Sequence, residues 1–143
     1  MMEHSNLQPL SRNQAIDCLQ QYDILPTVQR IRIAQMLLSH DQHVSAEQVF
    51  DLANAEGGKI SKATVYNTLG LFASKGILRE VNIDSERVFY DTNNTNHYHF
   101  YNQDTGELLD INPDQIAVEQ LPDVPNGTIL DGVDIMIRVK SKQ

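Results

Sequence analysis

The sequence has very few of the residues on which several common protein classes depend. It contains one cysteine, Cys18, and no tryptophan among its 143 residues. A single thiol excludes an internal disulfide and a zinc site built from cysteines, and it is typical of a reducing compartment. No apolar run approaches the 18 or so residues of a membrane span. The N-terminal residues lack the charged and apolar regions of a signal peptide. We therefore expect a cytoplasmic protein with no membrane partner.

Positive charge is also scarce, and its distribution is uneven. The formal net charge is −8. Residues 1–90 carry 8 lysines and arginines against 10 acidic residues, whereas residues 91–143 carry 3 against 9. The nearly balanced first part is compatible with DNA binding, but it lacks a strongly basic footprint. Binding would therefore need dimerisation or cations that neutralise charge.

The first 90 residues contain a series of short helices followed by a hairpin pattern. Four helices are predicted to begin near residues 12, 28, 46 and 61, and the third starts with a capping box of Ser45 and Gln48. Segments 77–83 and 87–92 alternate with period two, which predicts a β-hairpin. This order is typical of the winged helix, a helix-turn-helix variant. A generic helical domain with a hairpin is the alternative.

The second part of the chain reads as a small α/β unit. Strands "HYHFYN" and "ELLDI" flank Asp104-Thr105-Gly106, and a helix is predicted to start at Pro113. A long final strand would place Ile135, Ile137 and Val139 on one face. Units with a long apolar terminal strand often pair with a copy of themselves. The predicted fold class is α+β, a winged helix-turn-helix domain followed by this small α/β domain.

Histidines and carboxylates are spaced so that they could bind one metal ion. His97 and His99 are two apart in a predicted strand, so their side chains project to the same face. Asp91 precedes His97, Asp110 lies on the strand that returns beside the histidines, and His43 lies at a loop-to-helix junction. If both halves fold together, these donors suit Fe²⁺, Mn²⁺, Zn²⁺ or Co²⁺. The alternative is a set of ordinary surface side chains.

Two enzyme classes match fragments of this pattern. Asp104-Thr105-Gly106 has the letters of the aspartic-protease triplet, but it falls at a hairpin turn, where Asp and Gly are favoured for backbone reasons. Two histidines and a carboxylate also form the facial triad of non-haem iron oxygenases. That chemistry usually needs a larger β-barrel than this second half can build. We therefore expect a protein that is not an enzyme.

The predicted fourth helix carries candidate DNA contacts. Lys62, Thr64, Tyr66 and Asn67 lie off its apolar stripe, near the N-terminal end that meets the major groove in helix-turn-helix proteins. Asparagine pairs with adenine, and tyrosine stacks on a base or reaches a phosphate. A solvated helix face is the alternative. Phosphate contacts are expected from four arginines outside this helix: Arg30, Arg32, Arg79 and Arg87.

Three segments together resemble the ferric uptake regulator family: "TVQRIRIAQMLLSHDQHVSAEQVF", "ISKATVYNTLGLFASKGIL" and "HYHFYNQDTGELLDI". HVSAE and ATVYNTL are the most specific fragments, and the resemblance runs from about residue 10 onward. It implies a homodimer that binds a double-stranded DNA operator. Each subunit would have a winged-helix domain over 1–90, a hinge over 91–96 and an α/β dimerisation and metal-sensing domain over 97–143.

The resemblance also implies which residues hold the regulatory metal. The matching positions are His43, His97, His99 and Asp110, with one acidic ligand from the hinge strand. Asp91 fits that ligand by its spacing to His97, although another gap placement puts Tyr90 there. On the DNA side, Tyr66 matches the family's recognition-helix tyrosine. Asn67 stands where many members carry arginine.

The departures from the family pattern concern cysteine. Most members hold a structural zinc with two Cys-x-x-Cys pairs; the first would fall at Asn102 and Thr105, and the second is missing, so no structural zinc is expected. A cysteine-free pattern with this C-terminal tail looks like the iron response regulator branch, some of which sense haem. The Cys-Pro haem motif of some members is absent, since leucine follows Cys18. Haem binding through His97 or His99 therefore stays open.

The function that the resemblance implies is a metal-responsive transcription regulator, a repressor of iron homeostasis genes. Fe²⁺ or Mn²⁺ is the expected ligand, with Zn²⁺ in purified protein and haem as further candidates. A peroxide sensor that uses iron-catalysed histidine oxidation at the same residues is the alternative. A constitutive repressor that no longer responds to metal is another.

Overall fold

The computed structural model describes residues 10–55, 57–93 and 98–143. The chain divides into two compact units, Met1–Asn94 and Thr95–Gln143. His97, a predicted metal ligand, lies outside the described residues, as do 94–96 of the predicted hinge. The predicted domain limits therefore stay a prediction. Among the residues described, none of the helices has both the length and the apolar character that crossing a membrane would require.

The first unit contains the four predicted helices, which are confirmed as α1 Arg12–Gln21, α2 Val28–Leu37, α3 Ala46–Ala55 and α4 Lys62–Lys75. Their ends follow from local chemistry. The capping box at α3 is formed, with Ser45 N–H donating to Gln48 Oε1 at 2.8 Å and Gln48 N–H donating to Ser45 Oγ at 3.2 Å. Gly76 has a φ of 90° and ends α4 in the left-handed conformation, which glycine adopts without steric cost.

The core of this unit is built around the apolar stripe of α4. Val65, Leu69 and Phe72 recur at helical spacing and are fully buried. They belong to one hydrophobic cluster with Leu19 of α1 and Val49 of α3. Because one face of α4 is committed to this cluster, its other face is presented to solvent.

A three-stranded antiparallel sheet completes the first unit. Its strands are β1 His43–Ser45, β2 Arg79–Asn82 and β3 Val88–Asp91, in the order β1-β3-β2. The predicted hairpin is confirmed as β2 and β3. The sequence reading did not predict β1, because it is only three residues long and its last residue is also the cap of α3. His43 was expected at a loop-to-helix junction, and this placement was wrong.

The second unit contains a mixed three-stranded sheet. Strands β4 Tyr98–Asn102 and β5 Leu108–Ile111 are antiparallel, and β6 Met136–Val139 runs parallel to β4 on its other edge. The Asp-Thr-Gly triplet forms the β4–β5 turn. Asn102 Oδ1 accepts hydrogen bonds from the backbone N–H groups of Asp104 and Thr105 at 2.9 and 3.1 Å, and Gly106 has a φ of 75°. The Asp-Thr-Gly sequence is therefore explained by the conformation that this turn requires of the backbone.

Two details of the predicted second unit were wrong, although the α+β class is confirmed. The helix expected after Pro113 is reduced to a 3-10 turn, Pro113–Gln115. A helix of about nine residues is marginal without packing, and Val118 and Leu121 are 40% and 48% exposed. The final strand is also shorter than expected. It begins at Met136 and excludes Ile135.

We expect Leu69→Ala to lower the free energy of unfolding by about 2–5 kcal/mol, since it deletes fully buried atoms and leaves a cavity. Leu52→Ala is the matched control, because the Leu52 side chain is 52% exposed on α3. Its effect should stay within about 0.5 kcal/mol. Urea unfolding followed by far-ultraviolet circular dichroism measures both. Equal effects would contradict the assignment of Leu69 to the core.

Candidate metal centre and nucleic-acid interface

The first unit carries a histidine and a carboxylate side by side on adjacent strands. His43 of β1 lies directly opposite Asp91 of β3, and Arg79 of β2 lies opposite Asp91 on the other edge. Directly opposed residues project to the same face of a sheet. The His43 ring also meets the Phe89 ring edge-on, with 6.3 Å between centroids. Asp91 is buried, and its Oδ1 accepts the N–H of Asn93 at 2.9 Å.

The register of β3 places Asp91 and Tyr90 on opposite faces of the first sheet. Tyr90 lies opposite Val44, and both residues belong to the hydrophobic cluster of the first unit. Burial raises the pKa of the Tyr90 phenol, and the charges of Glu80 and Tyr66 raise it further. Because neighbours along a strand point to opposite faces, Tyr90 faces away from the side that His43 and Asp91 share. Of the two alternatives, the geometry favours Asp91.

The second unit carries its own histidine–carboxylate pair. His99 of β4 lies directly opposite Asp110 of β5, with 3.5 Å between His99 Nε2 and Asp110 Oδ1. His99 is 5% exposed, whereas the Asp110 side chain is 46% exposed. Its predicted partnership with His97 falls outside the described residues.

Met136 is a neighbour of His99 that the sequence reading missed. It lies in register with His99 on the parallel strand β6, so a row Asp110, His99, Met136 runs across one sheet face. Alternation along the strand could have predicted this neighbour. If Ile135 and Ile137 lie on one face, Met136 between them lies on the other. A thioether beside an imidazole is a soft donor and an oxidisable group.

The donor types in these pairs fit a divalent cation. Imidazole nitrogen and carboxylate oxygen, without thiolate, suit Mn²⁺, Fe²⁺ and Zn²⁺. A carboxylate next to a histidine can also orient the ring rather than bind the ion itself. Each unit therefore has the chemistry for at least part of a metal site.

The predicted DNA contacts on α4 differ in their availability. Lys62, Tyr66 and Asn67 are exposed on the first turns of the helix. Thr64 is half-buried, and its Oγ1 accepts a hydrogen bond from Ser61 Oγ at 2.9 Å within the N-terminal cap. Three of the four predicted contacts on α4 are therefore presented to solvent.

Glu47 of α3 is a second residue that the sequence reading missed. Its Oε1 lies 3.1 Å from Lys62 Nζ and accepts a hydrogen bond from the Tyr66 hydroxyl at 3.4 Å. The hydrogen bond that Lys62 donates to the Glu47 carboxylate, together with the charge of that carboxylate, raises the pKa of the Lys62 ammonium. The contacts join positions far apart in sequence, which is why spacing along α4 alone could not reveal them.

The predicted arginine contacts are already engaged within the protein. Arg30 Nη1 donates to the Leu25 carbonyl at 2.9 Å, and Arg87 Nε donates to Asp84 Oδ2 at 3.0 Å. Arg32 Nη2 donates to the Ala53 carbonyl at 2.5 Å near the end of α3, and its guanidinium fills the space beside Gly58 that a side chain there would need. Arg32 therefore has a structural contact of its own, and its predicted phosphate contact stays a prediction.

Comparison with known proteins decides the family. A model of the ferric uptake regulator family matches residues 21–130. The chain belongs to the ferric uptake regulator family. It is 31% identical over 109 residues to the peroxide-responsive repressor PerR of Staphylococcus aureus strain Mu50, covering 76% of this chain and 74% of that protein. Members of this family are metal-binding transcription regulators that bind DNA as dimers.

Solved structures support the same family. The chain is similar to the ferric uptake regulator of Pseudomonas aeruginosa with manganese, at 26% identity and a TM-score of 0.69, covering 94% of this chain and 100% of that one. It also has the fold of the Francisella tularensis ferric uptake regulator with iron, at 24% identity and a TM-score of 0.68, over 83% and 92% of the two chains. The iron response regulator branch stays a prediction.

We expect Asp91→Asn to weaken Mn²⁺ binding by at least about tenfold, because it removes a charged oxygen donor beside His43. Tyr90→Phe is the control, since Tyr90 lies on the other face of β3. The affinity of this variant protein for Mn²⁺ should be unchanged. Calorimetric titration of chelator-treated protein measures both variants. A loss of affinity in Tyr90→Phe alone would reverse the assignment.

Proposed function

We propose that this family member is a metal-responsive repressor whose ligand is Fe²⁺ or Mn²⁺. One observation carries the proposal. Each unit presents a histidine directly opposite a carboxylate on an adjacent strand, His43 with Asp91 and His99 with Asp110. A regulator needs a ligand set that involves the DNA-binding unit, because only then does DNA affinity depend on the ion. We include His97 in the proposed set, together with the domain limits 1–90, 91–96 and 97–143.

The donors set the class of ion, and a relative supports the choice within that class. Nitrogen and oxygen ligands without thiolate suit Fe²⁺ and Mn²⁺ as well as Zn²⁺, which would also bind in purified protein. The Pseudomonas aeruginosa relative was solved with manganese, which supports this choice. Haem bound through an imidazole is a further candidate ligand, and measuring operator binding with haem in place of Mn²⁺ tests it.

The proposed mechanism is a population shift. When bound, the ion would supply positive charge that offsets Asp91 and Asp110. His43 and Asp91 tie that charge to the unit that contains α4, so occupancy favours one DNA-competent arrangement of the chain. Coupling free energies of this kind are about 1–3 kcal/mol, or roughly 5–150-fold in affinity.

DNA recognition is proposed to use the exposed face of α4. Lys62, Tyr66 and Asn67 would enter the major groove, with Thr64 at its margin. Arg30 and Arg79 are proposed as phosphate contacts. Arg79 lies opposite Asp91 in the sheet, so the side chains of a proposed phosphate contact and a proposed metal ligand project to the same face.

The second copy of the chain is proposed to pack on the apolar row of the second sheet. Leu109, Phe100 and Ile137 are in register across β5, β4 and β6, on the face opposite His99. They are 50%, 38% and 38% exposed. A contiguous exposed apolar row typically marks an interaction site. A symmetric dimer would present two copies of α4 to two operator half-sites.

Fluorescence anisotropy of a labelled, palindromic AT-rich operator tests this function. We expect chelator-treated protein to change its DNA affinity by about tenfold or more on addition of Mn²⁺, used as an air-stable substitute for Fe²⁺. The change should disappear when His97 and His99 become alanine. His40→Ala is the control, because His40 is exposed. Within the described residues, the one hydrogen bond of its imidazole is with the Ser39 hydroxyl. A repeat with haem separates the two ligand classes.

Two results would contradict the proposal. Tight binding that is indifferent to Mn²⁺ and haem would identify a constitutive repressor. An absence of binding under every condition would contradict DNA regulation itself.

Peroxide sensing is the second candidate, and the identity to PerR favours it. The same histidines would serve, because an imidazole that binds Fe²⁺ is exposed to oxidation when peroxide arrives. The proposed sensor and the proposed iron regulator share every ligand, so only the chemical outcome separates them.

Peroxide treatment of Fe²⁺-loaded and Mn²⁺-loaded protein distinguishes these candidates. Cleavage before aspartate separates peptide 91–103, which contains His97 and His99, from 41–50 with His43 and 134–143 with Met136. A sensor should gain one oxygen atom in 91–103 or 41–50 with Fe²⁺ only, together with loss of operator binding. Oxygen confined to 134–143 would reflect oxidation of the half-buried Met136 and would contradict histidine-based sensing.

A further inference from the structure

Two cations on the DNA-facing side of the first unit are each matched by a carboxylate of the same unit. Lys62 Nζ lies 3.1 Å from Glu47 Oε1. Arg87 donates to Asp84 Oδ2 through Nε at 3.0 Å and through Nη2 at 2.5 Å. A third cation, Arg30, is held by a backbone carbonyl. Lys62 and Arg87 therefore each have a carboxylate partner within the protein, with which a DNA phosphate would have to compete.

One member of each ion pair, Glu47 and Arg87, lines the same cleft. A cleft of about 530 Å³ is lined by residues of α3, α4 and the β2–β3 hairpin, among them Glu47, Tyr66 and Arg87. Glu47 also accepts the Tyr66 hydroxyl at 3.4 Å, so one carboxylate holds two of the proposed DNA contacts. Its position in the first turn of α3 favours the negative charge.

A carboxylate in such a pair competes directly with a DNA phosphate. Lysine and arginine form charge-assisted hydrogen bonds with either anion. Contacts to phosphate supply nearly all of the affinity for DNA of arbitrary sequence, whereas base contacts supply discrimination. An internal carboxylate therefore weakens binding to any duplex, and only an operator that adds base contacts compensates for it.

We propose that Glu47 and Asp84 lower the affinity for DNA phosphate by occupying Lys62 and Arg87, so that DNA without the base contacts of an operator is bound only weakly. The inference rests on the proposed DNA-binding function and deepens it. It also gives a physical reason for the near balance of charge in residues 1–90, with 8 basic and 10 acidic residues. The acidic residues on this face then keep binding to DNA of arbitrary sequence weak.

Glu47→Gln and Asp84→Asn test the proposal without removing the local structure. Glutamine keeps an oxygen that can accept the Tyr66 hydroxyl. Asparagine keeps the Oδ1 that accepts the backbone N–H groups of Glu86 and Arg87 at 2.9 and 3.0 Å and closes the hairpin turn. Each variant removes one negative charge, and Glu119→Gln in the second unit is the charge-matched control.

Anisotropy titrations with Mn²⁺ compare the AT-rich operator with a scrambled duplex of equal length over a range of salt. We expect each variant to bind the scrambled duplex about two- to fivefold more tightly at roughly 0.1 M salt, the range set by exposed ion pairs. The slope of log affinity against log salt should steepen by up to about 0.9 for each cation released to phosphate. Operator affinity should rise by a similar factor, because the same ion pairs open in both complexes.

A second substitution tests whether the gain acts through the paired cation. Lys62→Gln should abolish the gain in the Glu47→Gln background, as a double-mutant cycle requires of a coupled pair. A gain that persists in the double variant, or that appears equally in Glu119→Gln, would overturn the proposal, because it would reflect net charge alone.

Measurements on the wild-type protein distinguish failure of this inference from failure of the proposed DNA-binding function. If it binds the operator while both variants have unchanged affinity and salt slope for the scrambled duplex, the inference fails and the proposed function stands. If it binds neither duplex under any condition, both fail together.

Discussion

The register of β3 is the constraint on which both faces of the first sheet depend. Its pairing with β1 and β2 places Tyr90 in the hydrophobic cluster and leaves Asp91 opposite His43 on the other side. A slip by one residue would exchange these faces, expose the phenol ring and bury the carboxylate in apolar surroundings. The burial of Tyr90 and Val44 therefore fixes the candidate ligand pair, although neither side chain belongs to it.

The features that could be predicted from sequence are those encoded within a few residues. The four helices follow from periodicity and from caps such as Ser45 with Gln48, and the hairpins follow from alternation around short turns. The predicted ligand types also came from local spacing. Strand β1 was not predicted, because a pattern of three residues is too short to show the alternation of a strand. The helix expected after Pro113 failed because no packed surface supports it.

The remaining features depend on contacts between distant parts of the chain. Choosing between Asp91 and Tyr90 required knowing which neighbour reaches the core, and spacing to His97 leaves that choice open. Arg32 looked like a phosphate contact until the structure placed its guanidinium on Ala53 and beside Gly58. Glu47 gave no sequence signal of its own. The one related feature of the sequence is the charge of residues 1–90, where 10 acidic residues outnumber 8 basic ones.

Strand β4 serves two surfaces through alternate residues. His99 points to the face with Asp110 and Met136, while the adjacent Phe100 points to the exposed apolar row. If the ion binds on one face, a second subunit binds on the other and a shift of this strand couples the two events, each equilibrium shifts the other. The apparent affinity for the ion would then vary with protein concentration, and titrations at different concentrations would reveal it. The amount of protein in the cell would thus be an input to the metal response.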